Sequence, residues 1–315
     1  MPILVLASYI RAHCLNVERL PISGESLQAG GLITEHGGKG LNVGVAAHRL
    51  GAEVAMLLPL GDDAAADEAK ELLLNEGLEN RLTLKLGPQS GFGVGFIGPN
   101  GENFLAVYPG ANALLKSDHV EKSLAALPRL ELIYAQFEIP EPSVRTAFDI
   151  ARRRGGIRTM LNPSPWHRPD PELLALTDIL VVNETEAALL FGLSDSEIRP
   201  DQCLNGLSAW ARQIAWSGEL LIVTLGEHGC VALTGDTIRH QPAWPIVAAD
   251  ATGAGDAFSA GLATALLQQL SVPEALRKAC ACGAWVAAHQ GVLRCLPTQT
   301  EIDRFIETNP IPKAI

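Results

Sequence analysis

Asp250-Ala251-Thr252-Gly253-Ala254-Gly255-Asp256 (DATGAGD), followed at residues 257–270 by the apolar helical pattern AFSAGLATALLQQL, decides how this chain is read. A glycine-rich turn that opens a helix leaves its first backbone N–H groups without intrahelical partners. The amides of Gly253, Ala254 and Gly255 can therefore wrap an anion, which the helix dipole also favours. An acid beside such a cradle is badly placed to hold phosphate passively. Asp256 is well placed to take a proton from an attacking hydroxyl. The same residues suit an ordinary helix start, with Asp256 as a first-turn carboxylate, and the heptapeptide by itself leaves both readings open.

A second element lies far upstream. Gly37 to Asn42 reads GGKGLN and runs into VGVAAHRLGAEVAMLLPLGDD. Together the two segments resemble the signature regions of the ribokinase (PfkB) family of ATP-dependent sugar kinases. The resemblance continues in order through PGANA (Pro109 to Ala113), QFEIP (Gln136 to Pro140), NPSP (Asn162 to Pro165), NETE (Asn183 to Glu186) and TLGEHG (Thr224 to Gly229). It implies a ribokinase-like α/β fold: a three-layer sandwich around a mostly parallel central sheet, with a small β-sheet lid, in one domain over residues 1–315.

Composition agrees. At 315 residues the chain suits one large α/β unit with an extended core, and 47% hydrophobic with 19% charged residues is globular rather than disordered. A net charge of −11 argues against nucleic acid or an anionic membrane as partner, so any phosphate site must be local. The six cysteines lack C-x-x-C spacing and read as reduced thiols of a cytoplasmic protein. Cys280 and Cys282, two apart in a helical stretch, point to different faces and cannot share a metal. The apolar start MPILVLASYI is too short for a signal peptide, and no stretch has transmembrane length.

Short apolar runs such as ILVLAS, AEVAMLLPLG, LELIYAQF, DILVVN and LLIVTLG alternate with helical patterns. That alternation predicts a parallel sheet covered on both faces, with ligands at the carboxyl ends of its strands. Two polar, glycine-bearing segments, about 12–36 and 90–107, read instead as antiparallel strands outside the main sheet, with a turn at Gly98-Pro99-Asn100-Gly101. The resemblance implies that these form a lid over the sugar site, used for dimer contact. Gly91, Gly93 and Gly95 of GFGVG stand in a strand-like context with no helix after them, which argues against a dinucleotide loop. No G-x-G-x-x-G follows the first strand and no P-loop motif occurs.

Site residues follow from the resemblance. Asp256 is the base and the amides of Gly253, Ala254 and Gly255 are the anion hole. Asn183 and Glu186 organise Mg²⁺ through water, although Asn183, Glu184 and Glu186 equally suit a helix cap with first-turn acids. Thr224 and Gly226 lie beside the ATP nucleotide, and Cys280 flanks its base. Gly37, Gly38, Lys39 and Asn42 contact the sugar, as does Glu138. Asp250 and Thr252 are the candidates for a K⁺ ion behind the anion hole, with Ala251 replacing the family's usual Thr and Cys295 standing where a hydroxyl is common. The departure that matters is in Ser8-Tyr9-Ile10-Arg11-Ala12-His13, where Ile10 and Ala12 occupy the positions of the family's N-x-D sugar grip. Neither can hydrogen-bond a hydroxyl. Three readings follow: an acceptor with an apolar or aromatic portion, such as a nucleoside; an acidic acceptor met by Arg11 or His13; or a non-catalytic sugar- or nucleotide-binding protein. The expected activity is ATP- and Mg²⁺-dependent phosphorylation of a primary hydroxyl on a sugar or sugar-containing small molecule.

Overall fold

The computed structural model describes residues 2–79, 81–98 and 103–310. Its centre is a set of short, mostly apolar strands: β1 (Pro2–Leu6), β8 (Leu132–Gln136), β9 (Arg158–Asn162), β10 (Ile179–Asn183) and β11 (Leu220–Thr224). They pair in parallel, and β1 also pairs in parallel with β4 (Glu53–Leu60), which carries β5 (Thr83–Lys85) at the edge. The hairpin β12 (Cys230–Thr234) and β13 (Thr237–Gln241) closes the other edge in antiparallel fashion. The resulting order is β13-β12-β11-β10-β9-β8-β1-β4-β5.

Side chains alternate between two cores, as the two-residue period of a strand requires. Ile3 and Val5 face one layer, together with Leu41, Ala69, Leu262, Leu276 and Ile302. These come from α1 (Lys39–Arg49), α2 (Ala64–Asn75), α8 (Ala254–Leu267), α9 (Val272–Ala287) and α10 (Gln299–Thr308). Leu4 and Leu6 face the opposite layer, with Val120, Phe148, Leu173, Leu190 and Leu207. Those sit on α3 (Ser117–Ala125), α4 (Glu141–Arg154), α5 (Pro171–Ala175), α6 (Glu184–Phe191) and α7 (Pro200–Gln213). Both faces of the sheet are thus dry, and the predicted three layers are present.

A second, four-stranded sheet stands apart, in the order β3-β2-β6-β7. Its strands are β2 (Ile10–Asn16), β3 (Gly31–Gly37), β6 (Gly91–Ile97) and β7 (Asn103–Tyr108). β2 starts two residues earlier than its polar pattern indicates, and it pairs in parallel with β6 while the other two contacts are antiparallel. Residues 99–101 of the expected turn lie outside the described residues. Register sorts the side chains into two faces. Ile10, Ala12 and Cys14 share one face with Glu35, Gly93, Gly95, Leu105 and Val107. Arg11, His13 and Leu15 share the other with Leu32, Phe92, Val94, Phe104 and Tyr108. The glycines of GFGVG are strand residues: a Cβ on Gly95 would lie 2.5 Å from the Phe104 carbonyl oxygen.

Candidate active site

The carboxyl ends of β9, β10 and β11 open onto a cavity of about 860 Å³ that runs from Lys39 and Asp256 past Glu186 to Thr224 and Trp244. Its architecture begins with glycines. Gly38 ends the turn into α1 at φ 113°, and a Cβ there would meet the Ser8 carbonyl oxygen at 2.4 Å. Gly40, two residues on, leaves room for the Ala7 Cα at the same 2.4 Å. The start of α1 is thereby pressed against the end of β1. Glu138 fixes it there, because its Oε2 accepts from the Lys39 amide at 2.8 Å and from Ser8 Oγ at 2.6 Å. Burial pushes the Glu138 carboxyl up, and the Ser8 and Lys39 donors only partly offset this. Glu138, read from the sequence as a sugar contact, is also the cap of α1.

Asp256 lies in the first turn of α8 and is buried. Its Oδ2 accepts from Asn42 Nδ2 at 2.7 Å, a contact spanning 214 residues of sequence, and its Oδ1 is 4.0 Å from Lys39 Nζ. Burial raises its proton affinity above that of an ordinary Asp, while Lys39 and Asn42 hold it down in part. Burial opposes the charge on Lys39 too, but Asp256, Glu138 and Glu186 outweigh it and raise its pKa. A carboxylate with raised proton affinity beside a fixed ammonium can accept a proton and keep its orientation.

The turn before α8 has the expected geometry. Gly253 adopts φ 81°, and a Cβ on it would lie 2.6 Å from Val292 Cγ1. A Cβ on Gly255 would meet nothing within 4 Å, and no side chain caps the helix, so this end faces open space. The Ala254 amide reaches back to the Ala251 carbonyl at 3.2 Å, which engages one of the three anion-hole donors within the turn itself. Behind this turn Arg49 of α1 donates to the carbonyls of Leu293 and Leu296 at 2.9 and 2.7 Å and pairs with Glu76. The segment carrying Val292 is thereby tied to the helix that carries Lys39 and Asn42.

At the far side Asn183 caps α6: its Oδ1 accepts the Glu186 amide at 2.8 Å, and Glu186 Oε2 accepts the Asn183 amide at 3.0 Å. The capping box and the cavity wall are the same residues, so the helix-cap reading of NETE holds while both residues stay at the cavity. Burial raises the Glu186 carboxyl. Thr224, Gly226 and Cys280 also line the cavity, with Cys280 Sγ 3.7 Å from Cys230 Sγ.

Three expectations fare differently. Asp250 turns its carboxylate onto Thr252, accepting from its amide at 2.9 Å and from its Oγ1 at 2.6 Å, and neither residue lines the cavity. Among the described residues no group of three His, Cys, Asp or Glu side chains could hold a metal. Arg11 pairs with Glu68 of α2 and contacts His36, while His13 faces Thr34. Both project from the opposite side of the small sheet to Ile10 and Ala12. The sequence also left unread the wall formed by Ala243, Trp244, Pro245 and Ile246, which belongs to no helix or strand and so carries no periodic signal.

The pfkB family carbohydrate kinase profile matches residues 3–299. This chain belongs to that family. The kinase is 32% identical over 305 residues to a ribokinase of Haemophilus influenzae, covering 96% of this chain and 97% of that one. It is 31% identical over 313 residues to a deoxyribokinase of Salmonella typhimurium, covering 98% and 100%. Its fold superposes with a TM-score of 0.86 on Arabidopsis thaliana ribokinase complexed with ribose and ATP, at 24% identity and 98% and 99% coverage. The fold is ribokinase-like and the protein is an ATP-dependent carbohydrate kinase, as the sequence motifs predicted. No helix among the described residues is long and apolar enough to cross a membrane.

Proposed function

We propose that the kinase transfers the γ-phosphoryl group of ATP to a primary hydroxyl of a sugar or sugar-containing molecule, with Asp256 as the base. The observation that carries this is the burial of Asp256 at the head of α8, between Lys39 and Asn42, where the cavity ends. Bound Mg·ATP supplies the electrophilic phosphoryl group. The chain does the rest: Asp256 takes the hydroxyl proton, Lys39 balances charge beside it, and the Gly253 and Gly255 amides face the transferring group. Glu186 and Asn183 fit a hydrated Mg²⁺, being an acid and an amide joined at one helix start. One domain acts, with the small sheet as its lid. For K⁺, Asp250 and Thr252 are the candidates, and equal rates in Na⁺, K⁺ and cation-free buffer would remove them.

The acceptor meets the lid through its apolar face. Glu35 on that face pairs with Arg294 at 3.2 Å, and Arg294 follows the segment packed on Gly253. The pair supports a closed arrangement in which Ile10, Ala12, Gly93, Leu105 and Val107 face the anion hole. Apart from Glu35, which is engaged by Arg294, such a roof offers no side-chain hydrogen bond to a polyol, and it suits a deoxy sugar or the base of a nucleoside. The opposite face leaves Leu32, Val94, Phe104 and Tyr108 between 44% and 62% exposed, the apolar surface through which a second copy would dock. Six free cysteines fit a reducing cytoplasm.

The test is ADP release with Mg·ATP and K⁺ over ribose, deoxyribose, ketohexoses, acidic sugars and nucleosides, with Asp256→Asn as control. Preference for deoxyribose or a nucleoside over ribose supports the apolar roof. A strong preference for acidic sugars contradicts it, and turnover retained by Asp256→Asn contradicts the base.

A further inference from the structure

Among the described residues, three buried side-chain atoms lack a hydrogen-bond partner: Asn42 Oδ1, Tyr134 Oη and Ser259 Oγ. All three belong to the neighbourhood of Asp256. Asn42 uses its amide nitrogen on Asp256 and leaves its oxygen bare. Ser259 stands one turn beyond Asp256 on the same side of α8. Tyr134 reaches up from β8, and its hydroxyl lies next to Ser259 without completing a hydrogen bond of normal geometry. Burial pushes the phenol far above its ordinary pKa, and the Asp256 charge adds to this, so Tyr134 keeps its proton and has it available to donate in a hydrogen bond.

Buried polar groups left bare are costly, and a cluster with two hydroxyls and one amide oxygen has the donors and acceptors that an internal water needs. We propose that Asn42, Tyr134 and Ser259 hold one buried water that locks the Asn42 amide against Asp256, making Tyr134 and Ser259 positioning residues for the base. The water donates to Asn42 Oδ1 and accepts from the hydroxyls. Held in this way, the amide presents its NH₂ to the carboxylate. Turned over, it would set oxygen against oxygen. The other charges acting around this point are Lys39 from α1, Glu138 after β8 and Glu186 from α6, and none of them is bonded to Asn42 Oδ1.

The inference rests on the reading of Asp256 as base, and two measurements separate them. A high-resolution crystal structure of the wild-type protein should show a water within hydrogen-bond distance of all three atoms, and a dry site overturns the proposal whatever the catalytic role of Asp256. In Tyr134→Phe the amide loses its lock, donation to Asp256 weakens, and the acid limb of the kcat/KM profile moves to higher pH. On that limb the rate should fall about tenfold, the worth of one hydrogen bond to a charged group, with KM for ATP unchanged. Ser259→Ala should move the limb in the same direction and serves if Tyr134→Phe does not fold. Acid limbs identical to wild type in the folded variants overturn the positioning role, even with the water in place. Full turnover by Asp256→Asn would sink the base reading and the positioning role with it, while the water stands or falls on the crystal structure.

Discussion

Replacing Lys39 by Met removes one charge and leaves the fold of the site untouched, because the contact that anchors α1 to Glu138 uses the Lys39 backbone amide. The size of the effect follows from geometry. Two unit charges 4.0 Å apart at an effective dielectric of about 20 attract by about 4 kcal/mol. The Lys39 side chain is 32% exposed, so solvent screening reduces this to about 2 kcal/mol. Asp256 already has its proton affinity raised by burial, and losing Lys39 raises it further. The base works only when ionised, so activity is present above the acid limb and lost as pH falls through it. In Lys39→Met the loss should begin at higher pH, and on the limb the rate should drop by roughly 30-fold, the equivalent of about 2 kcal/mol. The assay is ADP release against pH at saturating Mg·ATP. Lys39→Arg should restore the limb in part. An unshifted limb in Lys39→Met would refute the electrostatic coupling and leave Lys39 a role in acceptor contact only.

Asp256→Asn should bind nucleotide and lose turnover by about 10² to 10⁴-fold. Because the folded carboxyl sits above its usual 3.8, wild type loses stability as pH rises from there through the raised value, whereas the Asn variant does not; its Tm advantage should therefore widen with pH across that window. Gly253→Ala meets both φ 81° and Val292, costing about 1–2 kcal/mol for the left-handed backbone alone, and should raise KM for ATP in steady-state kinetics. Phe104→Glu on the outer face of the small sheet should give a monomer by sedimentation while the wild type sediments as a dimer; equal sedimentation would remove that face as an interface.

Much of the fold is legible because parallel strands buried on both sides read as plain apolar runs, and β1, β8, β10 and β11 fall where those runs do. The anion-hole turn is legible for a similar reason: the left-handed Gly253 conformation strongly favours glycine. What the sequence hides is contact across distance. Nothing local says that Asn42 meets Asp256 or that Arg49 holds Leu293 and Leu296. Arg11 and Ile10 are neighbours in sequence with opposite fates, since alternation along a strand puts one on Glu68 and the other on the opposite face, and only the pairing register says which. Tyr134, in a run of apolar residues, looks like core until its bare hydroxyl is located beside Ser259.

The glutamate that caps α1 has a wider consequence. On the floor of the cleft, the groups best able to recognise an acceptor are already committed elsewhere. Glu138 anchors a helix, Asn42 orients Asp256, and Gly38 and Gly40 have no room for a side chain. Drift at any of them damages folding or chemistry before it alters preference. The proposed roof is under no such obligation, for Ile10, Ala12, Leu105 and Val107 pair within the small sheet. Divergence among such enzymes, and any laboratory effort to retarget this one, has its freedom overhead. Two side chains on β2 can be exchanged there while the machinery beneath stays intact.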